Sequence, residues 1–147
     1  MAPLIISAFI IALRKVRLLN ILMLIPLVAL ISFLLSHVEH GKVLIEFPYW
    51  LITSGIAGIG SFCLAESGDI ASAASSAYVS ASIGSFLGID ILYLFVLDPL
   101  KMNEFIMGAG GFLDYVFLSG VMAVAILCAF SWSLSALMRR NSRIEGI

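Results

Sequence analysis

Apolar residues fall in long uncharged runs along this chain, without the period-2 alternation of a transmembrane barrel. Four runs are long enough to cross a bilayer core as a helix, which takes about 20 residues. The first is Leu18–Ser36, LLNILMLIPLVALISFLLS, and the second is Phe47–Ala65, FPYWLITSGIAGIGSFCLA. The third starts at Ile70, meets its first charge at Asp90 and continues as ILYLFVL to Leu97. The fourth covers 112–138, its uncharged part being Tyr115–Met138. Lipid offers no partner to an open backbone group, so each run must be a helix that bonds internally. The pattern predicts an all-α fold, a polytopic transmembrane bundle of four spanning helices plus a short apolar N-terminal segment. With no linker, repeat or low-complexity tail, residues 1–147 read as a single membrane domain.

Composition agrees. Of 147 residues, 62% are hydrophobic and 12% charged, where soluble domains run to roughly half and a quarter. The mean hydropathy is +1.15. A soluble protein this small exposes too much of its surface to hide so much apolar area. Lipid bilayer is therefore the expected solvent and the cell membrane the expected location. Lys+Arg total 8 against 9 Asp+Glu, so the basic face that nucleic-acid binding needs is missing.

Charge sets orientation. Arg14, Lys15 and Arg17 precede the first span, and Arg139, Arg140 and Arg143 follow the fourth. Both clusters belong in the cytoplasm by the positive-inside rule, which an even number of spans allows. Each outer loop carries a single lysine, Lys42 or Lys101, and the short inner loop Glu66–Asp69 is acidic. Acidic residues weigh little in this rule. APLIISAFIIAL, before Arg14, is too short to span unaided. Its charges follow the apolar run, unlike those of a signal peptide. It reads as an interfacial or shallowly inserted helix, or as a segment that docks on a partner subunit; Pro3 suits a first helical turn.

Apolar helices gain little from each other's greasy surfaces in lipid, and small residues pair them instead. Ser72, Ser76, Ser80, Gly84 and Gly88 recur every four residues on the third span, with Ala73, Ala77 and Ala81 alongside. Both rows share one broad helix face. Ser54, Gly55, Gly58 and Gly60 mark the second span, so spans two and three are expected as the core pair. A polar path for solute is the functional alternative to packing.

Two carboxylates resist reading as loop charges. Asp90 interrupts the third apolar run and Asp114 opens the fourth, both toward the outer side. A charge at mid-membrane costs roughly 2.5–3.5 kcal/mol on insertion scales. Either both are interfacial, with Asp114 favoured by a helix dipole, or they handle protons or ions, or they form an aspartyl-type hydrolytic pair. Gly108-Ala-Gly-Gly111, with Gly108, Gly110 and Gly111, suits a structured turn at the membrane edge or a flexible outer loop. His37, Glu39 and His40 could offer metal ligands, but an incomplete set, so a wet polar loop is expected. Cys63 and Cys128 read as small apolar fillers, and Tyr49, Trp50 and Trp132 as interface aromatics. No catalytic residue, metal site or cofactor is assigned.

SIGSFLGIDILYL (Ser82–Leu94) and GAGGFLDYVFLSG (Gly108–Gly120) resemble the C-terminal part of a family of uncharacterised prokaryotic multi-span membrane proteins, a domain of unknown function. That family carries Gly-x-x-x-Gly-Ala-Asp-Leu-Leu, then Gly-Gly-Ala-Gly-Thr-Phe-Asp-Gly-Ile-Phe-Leu-Thr-Gly. Gly84, Gly88 and Asp90 fall on the first motif; Gly108, Gly111, Asp114, Phe117, Leu118 and Gly120 fall on the second. Phe112, Leu113 and Tyr115 depart from it, and a Tyr in place of Gly would crowd a close backbone approach beside Asp114. The resemblance implies that Asp90 and Asp114 matter together, and implies no activity. A fainter likeness is to presenilin-type intramembrane proteases. Their Tyr-Asp and Gly-x-Gly-Asp pairs compare with Leu113-Asp114 and Gly88-Ile89-Asp90, in reversed order and on fewer spans.

The sequence thus reads as a homo-oligomer or a small subunit beside other membrane subunits, with a proton, ion or small-solute transport element using Asp90 and Asp114 as the rival. Residues 14–17 and 139–143 are expected on one side of the membrane. Single cysteines beside Asn20 and at Asn141, in a background lacking Cys63 and Cys128, should react alike with an impermeant thiol reagent. Opposite labelling would require an odd number of spans.

Overall fold

The computed structural model describes residues 2–13, 17–39, 42–45, 48–65, 69–92, 95 and 115–145. Helix α1 (Ala2–Ala12) is followed by α2 (Leu18–Leu35). A small antiparallel hairpin, β1 (His37–Glu39) and β2 (Lys42–Leu44), pairs Val38 with Val43. Then come α3 (Tyr49–Leu64), α4 (Ile70–Phe86) running straight into a π-helical turn (Leu87–Ile91), and α5 (Tyr115–Glu145). Apart from the hairpin, the described chain is helical.

Local chemistry sets the helix ends. The Asp69 carboxylate accepts the Ser72 backbone N–H at 3.0 Å and caps α4. Pro48 precedes α3, and at its far end Asn20 Nδ2 donates to the Leu64 carbonyl at 3.1 Å. That bond occupies one of the carbonyls a helix C-terminus leaves open. Pro26 lies inside α2, where neighbouring helices tolerate the lost backbone bond.

Contacts between helices fix their directions. Asn20 meets Leu64 and Leu24 meets Gly60, so α2 and α3 are antiparallel. Gly84 faces Ile25 and Val28 while Gly88 faces Ala29 and Ser32, so α4 runs with α2. Thr53 meets Tyr115, Gly58 meets Ala123 and Phe62 meets Phe130, so α5 runs with α3. The four helices therefore alternate up and down. One end gathers the starts of α2 and α4 and the end of α3. The other gathers the hairpin, the start of α3, the π turn and the start of α5.

Among the described residues, three helices are long and apolar enough to cross a membrane: Leu18–Leu35, Ile70–Ile91 and Tyr115–Arg140. The second expected span, 47–65, is a shorter helix. Its 16 residues rise about 24 Å, short of a core of roughly 30 Å. The third expected span, 70–97, is helical through the π turn, and most residues past Leu92 lie outside those described. The fourth, 112–138, begins at Tyr115 and continues to Glu145. The apolar N-terminal segment is α1, which packs on α4 and α5 with Pro3 and Ser7 buried.

Helix α4 occupies the centre, against α1, α2, α3 and α5. Residues 76–82 are buried on every side. Yet α4 is the least apolar of the three long helices. The large apolar residues face outward: Leu18, Leu19, Leu22, Met23 and Leu30 of α2 are exposed. The inner cluster is Val28, Ala57, Ala73, Ala77, Ala81, Ala123 and Leu127. This distribution suits lipid outside and tight backbone contact inside.

A Cβ at Gly84 would lie 2.7 Å from Val28 Cβ, and one at Gly88 2.8 Å from Ser32 Cβ and against the Ala29 carbonyl. At Gly55 it would meet nothing within 4 Å. Gly84→Leu and Gly88→Leu should each destabilise the bundle by about 1–3 kcal/mol or prevent assembly. Gly55→Ala should be neutral or stabilising by up to about 1 kcal/mol. Unfolding in mixed micelles measures all three; equal tolerance would remove the contact argument.

Candidate functional site

Six serines lie on α4: Ser72, Ser75, Ser76, Ser80, Ser82 and Ser85. At 3.6 residues per turn they cannot share one face. Ser76 and Ser80 form one row, and Tyr78, Ser82 and Ser85 another. Both rows are buried because helices pack around α4 on all sides.

Several serines of the bundle satisfy themselves locally. Ser75 donates to the Ala71 carbonyl at 2.9 Å, Ser54 to Trp50 at 3.1 Å and Ser135 to Ser131 at 2.9 Å. Ser119 donates to Val116 at 3.0 Å and lies 3.4 Å from the Ala81 carbonyl across the α4–α5 contact. The hydroxyls of Ser76, Tyr78, Ser80, Ser82 and Ser85 have no such partner, nor do those of Ser7, Ser32 and Ser61 on α1, α2 and α3. The Tyr78 hydroxyl lies near Ser82 without reaching hydrogen-bond geometry. A buried hydroxyl left unbonded costs about 1–3 kcal/mol, and most buried polar groups in folded proteins do find a partner. Five of them on one central helix are a polar interior inside a lipid-facing shell.

Glycines bring the neighbours onto these hydroxyls. A Cβ at Gly120 would collide with Ser82 Oγ and lie 2.8 Å from the Tyr78 ring. Gly88 sits against Ser32 in the same way.

The row ends in the π turn. Its wider closure is seen where the Leu92 N–H bonds to the Leu87 carbonyl, five residues back. Single π turns inside α-helices occur often at functional sites. Asp90 lies within this turn and is buried, 9% exposed, where α2 and β2 pack on it. The carboxylate is buried within the bundle.

Of the remaining sequence candidates, Ser72 is half-buried at the start of α4, and Ser76, Ser80, Gly84 and Gly88 are buried. Asp114, Gly108, Gly110, Gly111 and His40 lie outside the described residues. His37 is exposed. Cys63 and Cys128, expected as fillers, are exposed on the outer surface of the bundle. Sequence reasoning missed Tyr78, Ser82 and Ser85, because it followed one four-residue stripe. The available signal was hydroxyl residues all the way round one apolar run.

Tyr115 has a defined structural role. Thr53 donates its proton to the Trp50 carbonyl at 2.8 Å, so Tyr115 donates to Thr53 Oγ1 at 2.7 Å. This chain ties α3 to α5 at the end that holds Asp90.

Lipid-facing helices around a hydroxyl-bearing centre define a helical-bundle membrane protein. The chain belongs to the family described as "Protein of unknown function (DUF1614)", whose model matches residues 1–126. The match runs from α1 through the π turn into α5, well beyond the two segments that carry the resemblance. No curated protein and no solved structure matches the chain.

Thr53→Val and Tyr115→Phe should each cost about 0.5–1.5 kcal/mol. Made together they should cost less than the sum, because both remove the same bond. Unfolding of the four proteins in one detergent checks this; strict additivity would break the tie.

Proposed function

We propose that this chain is a four-span bundle with both termini cytoplasmic, and that α4 is a translocation element for protons, ions or small polar solutes. The observation that carries the reading is the set of five buried, unbonded hydroxyls on the central helix. Hydroxyls that nothing in the fold uses are available to something that passes. A buried carboxylate at the end of the row, Asp90, is the natural binding group, since intramembrane ionisable residues mark ion and proton paths. Asp114 is the proposed second carboxylate. It directly precedes Tyr115, which opens α5 at the same end as the π turn.

Alternating helix directions support the span count. Taking α3 as a span leaves a mismatch of about 6 Å, which tilt or local thinning absorbs at a fraction of a kcal/mol per Å. Arg17 and Arg139 then lie at one end, which positive charge assigns to the cytoplasm.

A second reading, homo-oligomer or small subunit of a larger membrane complex, draws on α5. Past Phe130 it leaves Trp132, Leu134, Leu137 and Met138 exposed. This surface is compatible with translocation by an assembly.

Purified full-length chain in liposomes should conduct a cation, proton or small polar solute above protein-free vesicles. Asp90→Asn should keep the helical content and lose most of that flux. Vesicles indistinguishable from empty ones would remove the translocation reading.

A further inference from the structure

We propose that the species carried is the proton alone, relayed along the unbonded hydroxyls of α4 to Asp90. The inference rests on the translocation reading and names its substrate.

Two observations carry it. The first is that the helices close on one another along the row. At Gly84 an added Cβ would sit 2.7 Å from Val28 Cβ and 3.1 Å from the Ile25 carbonyl. At Gly88 it would meet the Ala29 carbonyl, and at Gly120 it would meet Ser82 Oγ with Tyr78 Cε2 at 2.8 Å. At these three points the helices close to direct contact and leave no room for a hydrated ion. A hydrated cation or a polyol needs several water volumes of about 30 Å³ each. A proton needs only a chain of oxygens.

The second is which hydroxyls are uncommitted. A serine whose proton is held by a carbonyl one turn back, as in Ser75, is occupied. Ser76, Tyr78, Ser80, Ser82 and Ser85 are not so held. A hydroxyl both donates and accepts. An arriving proton forms a new O–H bond on the hydroxyl oxygen. The hydroxyl's original O–H bond breaks as that proton passes to the next acceptor. One bond forms, one breaks, and no electron is transferred. Residues one turn apart rise about 6 Å. The relay therefore requires one isolated water at each step, making two hydrogen bonds of about 2.8 Å, and no continuous water-filled path. From Tyr78 to Asp90 the second row climbs about 18 Å, more than half of a bilayer core of roughly 30 Å. Charged or titratable groups on or beside the described elements packed against the π turn are Arg17 and His37 flanking α2, Asp69 and Tyr78 of α4, and Lys42 in β2.

The test uses the full chain in liposomes of neutral and anionic phospholipid. An internal pH-sensitive dye reads proton entry under a potassium diffusion potential set with valinomycin. Parallel vesicles without valinomycin read potassium with a potassium-sensitive dye, and glycerol by light-scattering swelling. Proton flux should exceed that of empty vesicles at least tenfold, while potassium and glycerol match them. Ser80→Ala combined with Ser82→Ala should cut proton flux at least tenfold and leave folding intact, since it deletes unbonded buried hydroxyls. Ser75→Ala should leave flux unchanged. Potassium or glycerol passage would overturn the proton inference and leave translocation standing. Absence of any flux would overturn both. Unchanged proton flux in the double serine variant would overturn the relay even with protons selected, and the wild-type selectivity decides the substrate whether or not that variant folds.

Discussion

Backbone-close packing around α4 is the constraint on which the rest of the structure depends. In lipid, burying leucine against leucine gains little over leaving it against acyl chains. What holds helices together is contact at a distance that only glycine, alanine and serine allow. Gly58, Gly84, Gly88 and Gly120 each sit where a Cβ would strike a neighbour. The helix richest in small residues makes the most such contacts and so becomes the centre. Large apolar side chains, excluded from the contacts, turn outward to the lipid.

That constraint brings hydroxyls inside. Serine is nearly as small as alanine, so close packing tolerates it, but it carries a donor and two acceptor sites. The bundle handles these groups in two ways. Asn20 to Leu64, Tyr115 to Thr53 and the bonds of Ser119 commit polar groups to holding helix to helix or to their own turn. The α4 rows commit theirs to nothing in the described fold. Alanine at those sites would pack as well without the desolvation cost. Local rules broken at no visible structural gain are characteristic of functional positions.

The two ends of α4 differ. At its start Asp69 is exposed and performs an ordinary capping task. At its end the helix widens into the π turn, which packs against α2 and β2, and Asp90 within it is buried. The hairpin and the Thr53–Tyr115 tie lie at the same end of the bundle. Both that end and α4 lie within residues 1–126, which the family model matches.

Long uncharged runs determined the helical class and the lipid environment, because in a bilayer run length and backbone pairing leave no other choice. The four-residue spacing from Ser72 to Gly88 determined that α4 would offer a small-residue face, since that spacing is a property of the helix itself. Only the tertiary structure decided what met that face. Gly84 and Gly88 approach α2 and not α3, because helix directions and neighbours depend on contacts between distant residues. It also decided that α3 is short, beginning only after Pro48. Burial of Asp90 was invisible in the run of letters around it, since a carboxylate at a run's edge reads the same whether water or protein covers it. The same holds for Tyr78, Ser82 and Ser85. Their spacing marks a second helix face, but whether a hydroxyl there has a partner is settled by the neighbouring helices and by which carbonyls they bring within reach.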